Sequence, residues 1–149
     1  MKKFLQVLYW IISLTWGALM TIPGLIGALL VIIAGGKAEK NGFSFIVKIG
    51  GNWGGISLGA VAFCGNYEGE YFEYIRRHEF GHSIQNLIFG PLFLFVIGIP
   101  SLIRSWLFKA DKIKHPYDYI WFEYTASTWG TKAINYIEDQ IYVYKYKRK

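Results

Sequence analysis

The sequence predicts an α+β membrane protein, and three observations carry that expectation. Residues Phe4 to Ala34 contain no charged side chain. Two runs of strand-forming residues, Phe43–Ile49 and Ile56–Phe63, flank a glycine-heavy segment. A helical pattern then carries His78-Glu79-Phe80-Gly81-His82. The expected order is an N-terminal apolar helix or helical hairpin, a β-hairpin, the histidine helix, an apolar re-entrant hairpin, and a last helix bearing a further acidic residue.

Composition narrows the classes. Of 149 residues, 53% are hydrophobic and only 17% charged, against about 25% charged in a typical soluble domain. Disorder, a collagen-like fibre and a charged coiled coil are excluded. The single cysteine, Cys64, excludes an internal disulfide framework and a multi-cysteine metal site. A net charge of +6 suits an anionic membrane surface or a positive-inside topology better than nucleic acid in so apolar a chain. No nucleic-acid partner is therefore expected, and the Tyr- and Lys-rich tail reads as a contact with membrane lipid.

The first apolar run would measure about 46 Å as one helix, too long for about 30 Å of hydrocarbon. Pro23-Gly24 is expected to kink or break it. Trp10 and Trp16 suit an interface, and the run exceeds the apolar core of a cleaved signal peptide, so a retained anchor over residues 1–36 is the reading. Gly35 to Gly42 reads as a polar connector. The strand runs 43–49 and 56–63, joined by Gly50-Gly51-Asn52-Trp53-Gly54-Gly55, read as a β-hairpin. Glu70 to Phe89 reads as a helix stopped at Gly90-Pro91. The second apolar stretch, 91–108, is interrupted at Gly98-Ile99-Pro100 and reads as two short arms that dip into the membrane and return. Tyr117 to Gly130 reads as the next helix. Alternation around Ile141 to Tyr146 suggests an edge strand guarded by lysines.

The chemistry concentrates on His78, Glu79 and His82. On a helix, His78 and His82 share one face a turn apart. Two imidazoles so placed can bind one Zn²⁺, and the adjacent Glu79 can take the proton of an attacking water. A third ligand must come from elsewhere, with Asp111, His115, Asp118, Glu123, Glu138 and Asp139 as candidates. Glu123 is preferred because Trp121, Phe122 and Tyr124 surround it, and a carboxylate in apolar company is costly unless it is coordinated. Ser127, four residues on, shares its face and can hydrogen-bond a histidine ring from behind. Cys64 reads as a small buried hydrophobe, His115 as a solvated loop residue, and Gly81 as a point of close helix approach.

The ordered set His78-Glu79-x-Gly81-His82-x-x-Gln85, Gly90-Pro91-Leu92-Phe93-Leu94, Gly98-Ile99-Pro100-Ser101, and Glu123 with Ala126 and Trp129-Gly130 resembles a group of small, largely uncharacterised bacterial membrane proteins. These carry HExGHxxQ, GPLYL…GxPS and Tyr-Thr-Glu-x-x-Ala-Asp segments, and the resemblance covers roughly residues 42 to 130. More widely, the layout is similar to membrane gluzincin metallopeptidases. The resemblance implies His78, His82 and Glu123 as zinc ligands, Glu79 as general base, a zincin-like domain over residues 37–149, and a place in the bacterial cytoplasmic membrane. Ser127 stands where those proteins carry Asp. The expected activity is hydrolysis of a peptide or protein substrate at a peptide bond near the bilayer surface. A site-2-like intramembrane protease is a rival, but its Leu-Asp-Gly segment does not occur here. The other alternative is a non-catalytic membrane protein with a structural or partner-binding zinc site.

Overall fold

A computed structural model describes residues 1–143. Helices α1 (Lys2–Leu14) and α2 (Ala18–Ile33) lead into strands β1 (Ala38–Asn41), β2 (Ser44–Lys48), β3 (Gly55–Leu58) and β4 (Val61–Cys64). Helices α3 (Gly69–Phe89), α4 (Ile99–Lys109) and α5 (Trp121–Glu138) complete the α+β fold.

The strands form one mixed sheet in the order β1-β2-β4-β3. β2 and β4 pair in parallel, with Phe45 opposite Val61 and Lys48 opposite Cys64, while the outer pairs are antiparallel. This corrects the expected hairpin between 43–49 and 56–63. Gly59, at φ +63°, breaks the second run into β3 and β4. Gly42, also at φ +63°, turns the supposed connector into β1. Each glycine is the first residue of a two-residue hairpin turn, the position where positive φ is required.

Both faces of the sheet are covered. Val47, Val61 and Phe63 pack toward Ala28 of α2, whereas Ile46, Ala62 and Cys64 pack toward Ile75 of α3. β4 is buried at every position for this reason. α2 comes close because Gly24 and Gly59 carry no side chain: a Cβ at either would collide with Leu58 O or Thr21 respectively.

The first apolar run bends by 99° between α1 and α2. The break falls at Thr15-Trp16-Gly17, not at Pro23-Gly24, and Pro23 lies inside α2. Buried Asn86 lies against the break: its side-chain amide donates to Gly17 O at 3.2 Å, a carbonyl that also accepts from Thr21 N–H at 3.1 Å as α2 begins. No single helix among the described residues is long and apolar enough to cross a membrane, although α1 and α2 together meet that test as a bent pair.

The expected re-entrant hairpin at 91–108 is also corrected. A 3-10 turn (Gly90–Leu92) and a π turn (Leu94–Gly98) run into α4 without reversing, since Phe93, Gly98 and Ile99 all keep helical dihedrals. Pro100 follows directly on the π turn, whose last bond runs from Ile99 N–H to Leu94 O, and this widened turn lets the helical path continue past a residue that has no N–H to donate. The chain reverses instead at Gly90 (φ 53°) and near Asp111 (φ 55°). It then returns alongside α4, where Arg104 donates to Tyr117 O and Pro116 O, both at 2.8 Å. That return brings α5 to α3.

The expected edge strand at 141–146 is not seen in residues 141–143, and the rest of it lies outside the described residues. Tyr142 exchanges hydrogen bonds with Asn135 and lies under Arg77.

Candidate metal centre

α3 places His78 and His82 on one side, with their Nε2 atoms 3.1 Å apart. α5 crosses α3 at two glycines. A Cβ on Gly81 would collide with Ala126 O, and one on Gly130 with Arg77 O. This crossing delivers Glu123, which is fully buried. Its Oε2 lies 3.0 Å from His78 Nε2 and 3.4 Å from His82 Nε2. These three residues are the one group among the described residues that could hold a metal ion.

The surrounding hydrogen bonds fix what each ligand presents. Ser127 donates its proton to Asp118 Oδ2 at 3.3 Å, so at 2.8 Å from His78 Nδ1 it accepts the ring N–H. Gln85 donates from Nε2 to Phe122 O (2.7 Å) and Thr125 Oγ1 (2.8 Å), which turns its Oε1 toward His82 Nδ1 at 2.7 Å. Both rings therefore carry their proton on Nδ1 and turn an Nε2 lone pair inward. Glu123 Oε1 accepts from Ser101 (2.5 Å) and Tyr117 (3.2 Å), while its Oε2 is buried with no hydrogen-bond partner.

Three acceptors thus face one another at 3.0–3.4 Å, which requires a positive charge between them. With a proton as that charge, burial disfavours protonated His78, but the hydrogen bond and charge of Glu123 prevail and hold it up at about 9. Burial likewise disfavours ionised Glu123, yet the His78 and His82 contacts drive it well below the usual carboxylate range. A zinc ion fits as well: two imidazole nitrogens and one carboxylate oxygen are its usual donors, and ligands about 2.0–2.1 Å from a tetrahedral ion lie about 3.3 Å apart.

Glu79 stands beside this group. Its Oε2 is buried without a hydrogen-bond partner, and its other oxygen occupies the space a side chain at residue 55 would take. Burial raises its pKa, and His82 and His78 offset this only in part. It lies on the walls of two cavities, of about 280 and 440 Å³.

Of the sequence candidates, His78, His82, Glu123, Glu79 and Ser127 come together here. Asp118 also arrives, but behind Ser127, with Tyr74 donating to it at 3.0 Å. The remaining candidates lie elsewhere. His115 is exposed and stacks on Tyr119, Asp111 is exposed, Glu138 pairs with Arg76 at 2.8 Å and Asp139 with Lys2 at 2.7 Å. Cys64 is buried as expected, and burial pushes its thiol up to about 11. Ser101, Tyr117 and the role of Asp118 escaped sequence reasoning, because nothing in residue spacing links α4 or the return segment to Glu123.

No protein-family model, curated protein or solved structure matches the chain.

Proposed function

We propose that this protein is a zinc metallopeptidase working at a membrane surface, with His78, His82 and Glu123 as metal ligands and Glu79 as general base. One observation carries the reading. Two hydroxyls occupy Glu123 Oε1 and leave Oε2 facing two imidazole lone pairs, while Glu79, next in sequence to His78, faces the cavities unpartnered.

Bound there, zinc would supply a Lewis acid and lower the pKa of water toward about 7. The chain's own residues do the rest. Glu79 takes a proton from the attacking water, the water oxygen bonds to the carbonyl carbon, the C–N bond breaks, and the proton passes from Glu79 to the leaving nitrogen. The raised pKa of Glu79 suits it to hold that proton. Three protein ligands, rather than the four of a purely structural zinc site, favour catalysis over the non-catalytic alternative.

Attachment to lipid is supported by large apolar side chains at the surface of three helical segments: Phe4 and Ile11 of α1, Leu30 and Ile33 of α2, and Phe95 and Trp106 around α4. The positive net charge suits anionic headgroups, as in a bacterial cytoplasmic membrane.

The test is metal analysis and peptide hydrolysis on detergent-purified wild type, His78→Ala and Glu79→Gln. Wild type should hold about one zinc and cleave, His78→Ala should lose both, and Glu79→Gln should keep the metal without cleaving. Negligible zinc in wild type would end the proposal.

A further inference from the structure

The two cavities meeting at Glu79 differ in kind. The smaller is walled by Met20, Leu58, Phe93, Leu94, Ile97 and Leu102. The larger is walled by Tyr67, Tyr71, Tyr74, Asn52 and Asp118. Gly55, His78, Glu79 and Tyr117 line both, so a chain lying across Glu79 extends into each.

Strand β3 gives that chain a direction. It is an outer strand of the sheet, paired only with β4. Gly65 N–H donates to Gly54 O at 3.1 Å, so Gly54/Gly65 and Ile56/Phe63 are the hydrogen-bonded pairs of this antiparallel ladder. By alternation, the backbone groups of Gly55 and Ser57 point away from β4 toward the open edge. Gly55 is also the residue against Glu79, so a bond held beside Gly55 lies beside the proposed base. An extended peptide adds most stably antiparallel to such an edge. Its residues before that bond then run along Ile56 to Leu58, beside the aliphatic cavity, and those after it pass Gly54 into the tyrosine-lined cavity.

We infer that the site selects substrates with a large aliphatic residue within two positions on the N-terminal side of the bond it cleaves, seated against Leu58, Ile97 and Leu102. This rests on the hydrolase reading above and adds substrate class and direction. A cavity of about 280 Å³ accommodates an aliphatic side chain with room to spare, and hydrophobic recognition of this kind discriminates by about 10- to 200-fold. The tyrosine-lined cavity offers Ile75 alone among branched aliphatic side chains, whereas Met20, Leu58, Leu94, Ile97 and Leu102 form the aliphatic wall of the smaller one.

The experiment presents zinc-loaded full-length protein in detergent with a mixed peptide library, reading cleavage sites by mass spectrometry. It then uses one peptide in paired versions carrying Leu or Ser at the selected position. Cleavage should follow Leu, Ile or Met within two residues, with kcat/KM at least tenfold higher for the Leu version. Leu102→Trp, a surface-reaching substitution that fills the cavity, should lower cleavage of the Leu version and spare the Ser version. Fluorescence polarisation of both labelled peptides on zinc-loaded Glu79→Gln separates this inference from the hydrolase reading. Tighter binding of the Leu version with no cleavage by wild type would sink the hydrolase and keep the aliphatic seat. Cleavage with no aliphatic preference, a preference only after the bond, or equal binding of the two peptides would overturn the inference.

Discussion

His78 and Asp118 are joined through a single hydroxyl. Ser127 accepts from the His78 ring and donates to Asp118, which Tyr74 holds in turn. Asp118, nine residues upstream of Ser127, thus places a carboxylate behind His78 through that hydroxyl. Groups that hold a metal-bound histidine in place commonly affect affinity by about 10- to 100-fold. Ser127→Ala should accordingly weaken zinc binding by about that factor, measured by competition with a chromogenic chelator. Unchanged affinity would show that the relay does not orient His78.

Glu79→Gln is nearly the same size and preserves the contact with Gly55. It should keep zinc at wild-type occupancy while lowering kcat by about 10²- to 10⁴-fold, the usual contribution of a positioned general base. A variant that cleaves at the wild-type rate would remove Glu79 from the chemistry.

Gly81→Ala and Gly130→Ala each insert a methyl group where α3 and α5 touch backbone to backbone. The helices must separate, at a cost of about 3 kcal/mol or more, and Glu123 must move with α5. Both variants should melt roughly 10 °C lower by thermal unfolding and bind zinc more weakly. Wild-type melting and affinity would mean that this crossing does not set the ligand geometry.

Arg76 grips Glu138 with two nitrogens, at 3.1 and 2.8 Å. Burial raises the Glu138 carboxyl, but the hydrogen bond and charge of Arg76 outweigh it and hold the pKa below the ordinary value. The sign follows: stabilisation is complete above the unfolded pKa of about 4.3 and fades as pH falls through it toward the folded value. Glu138→Gln should cost about 1–2 kcal/mol at neutral pH and flatten the acid side of the melting-temperature profile below about pH 5. An acid limb as steep as that of wild type would assign it to other carboxylates.

The group of His78, His82 and Glu123 was legible because helical spacing alone aligns His78 with His82, and because Glu123 sits among aromatic neighbours that leave a bare carboxylate few options. Gly81 was legible for a related reason, as a residue without a side chain on a buried helix face. The sheet was misread where one glycine in a strand-like run, Gly59, acts as a turn. Composition does not distinguish a glycine that bends the chain from one that merely weakens a strand. Gly98-Ile99-Pro100 misled in the opposite sense, because the π turn just before the proline lets the helical path run on past it. Long-range partners such as Ser101, Tyr117 and Asn86 leave no local signature, since they answer to carbonyl or carboxylate groups many residues away.

The layer that α2 lays over the sheet has a practical side. Met20 walls the aliphatic cavity, Ala28 covers Val47, Val61 and Phe63, and Lys2 clasps Asp139 at the far end of α5. A shortened chain beginning at residue 37 would bare one side of the sheet to water and take Met20 from the wall of the aliphatic cavity. Trimming the two apolar helices to gain solubility would thus unroof the sheet that carries β3, and the 149-residue chain in detergent or nanodiscs is the preparation to pursue.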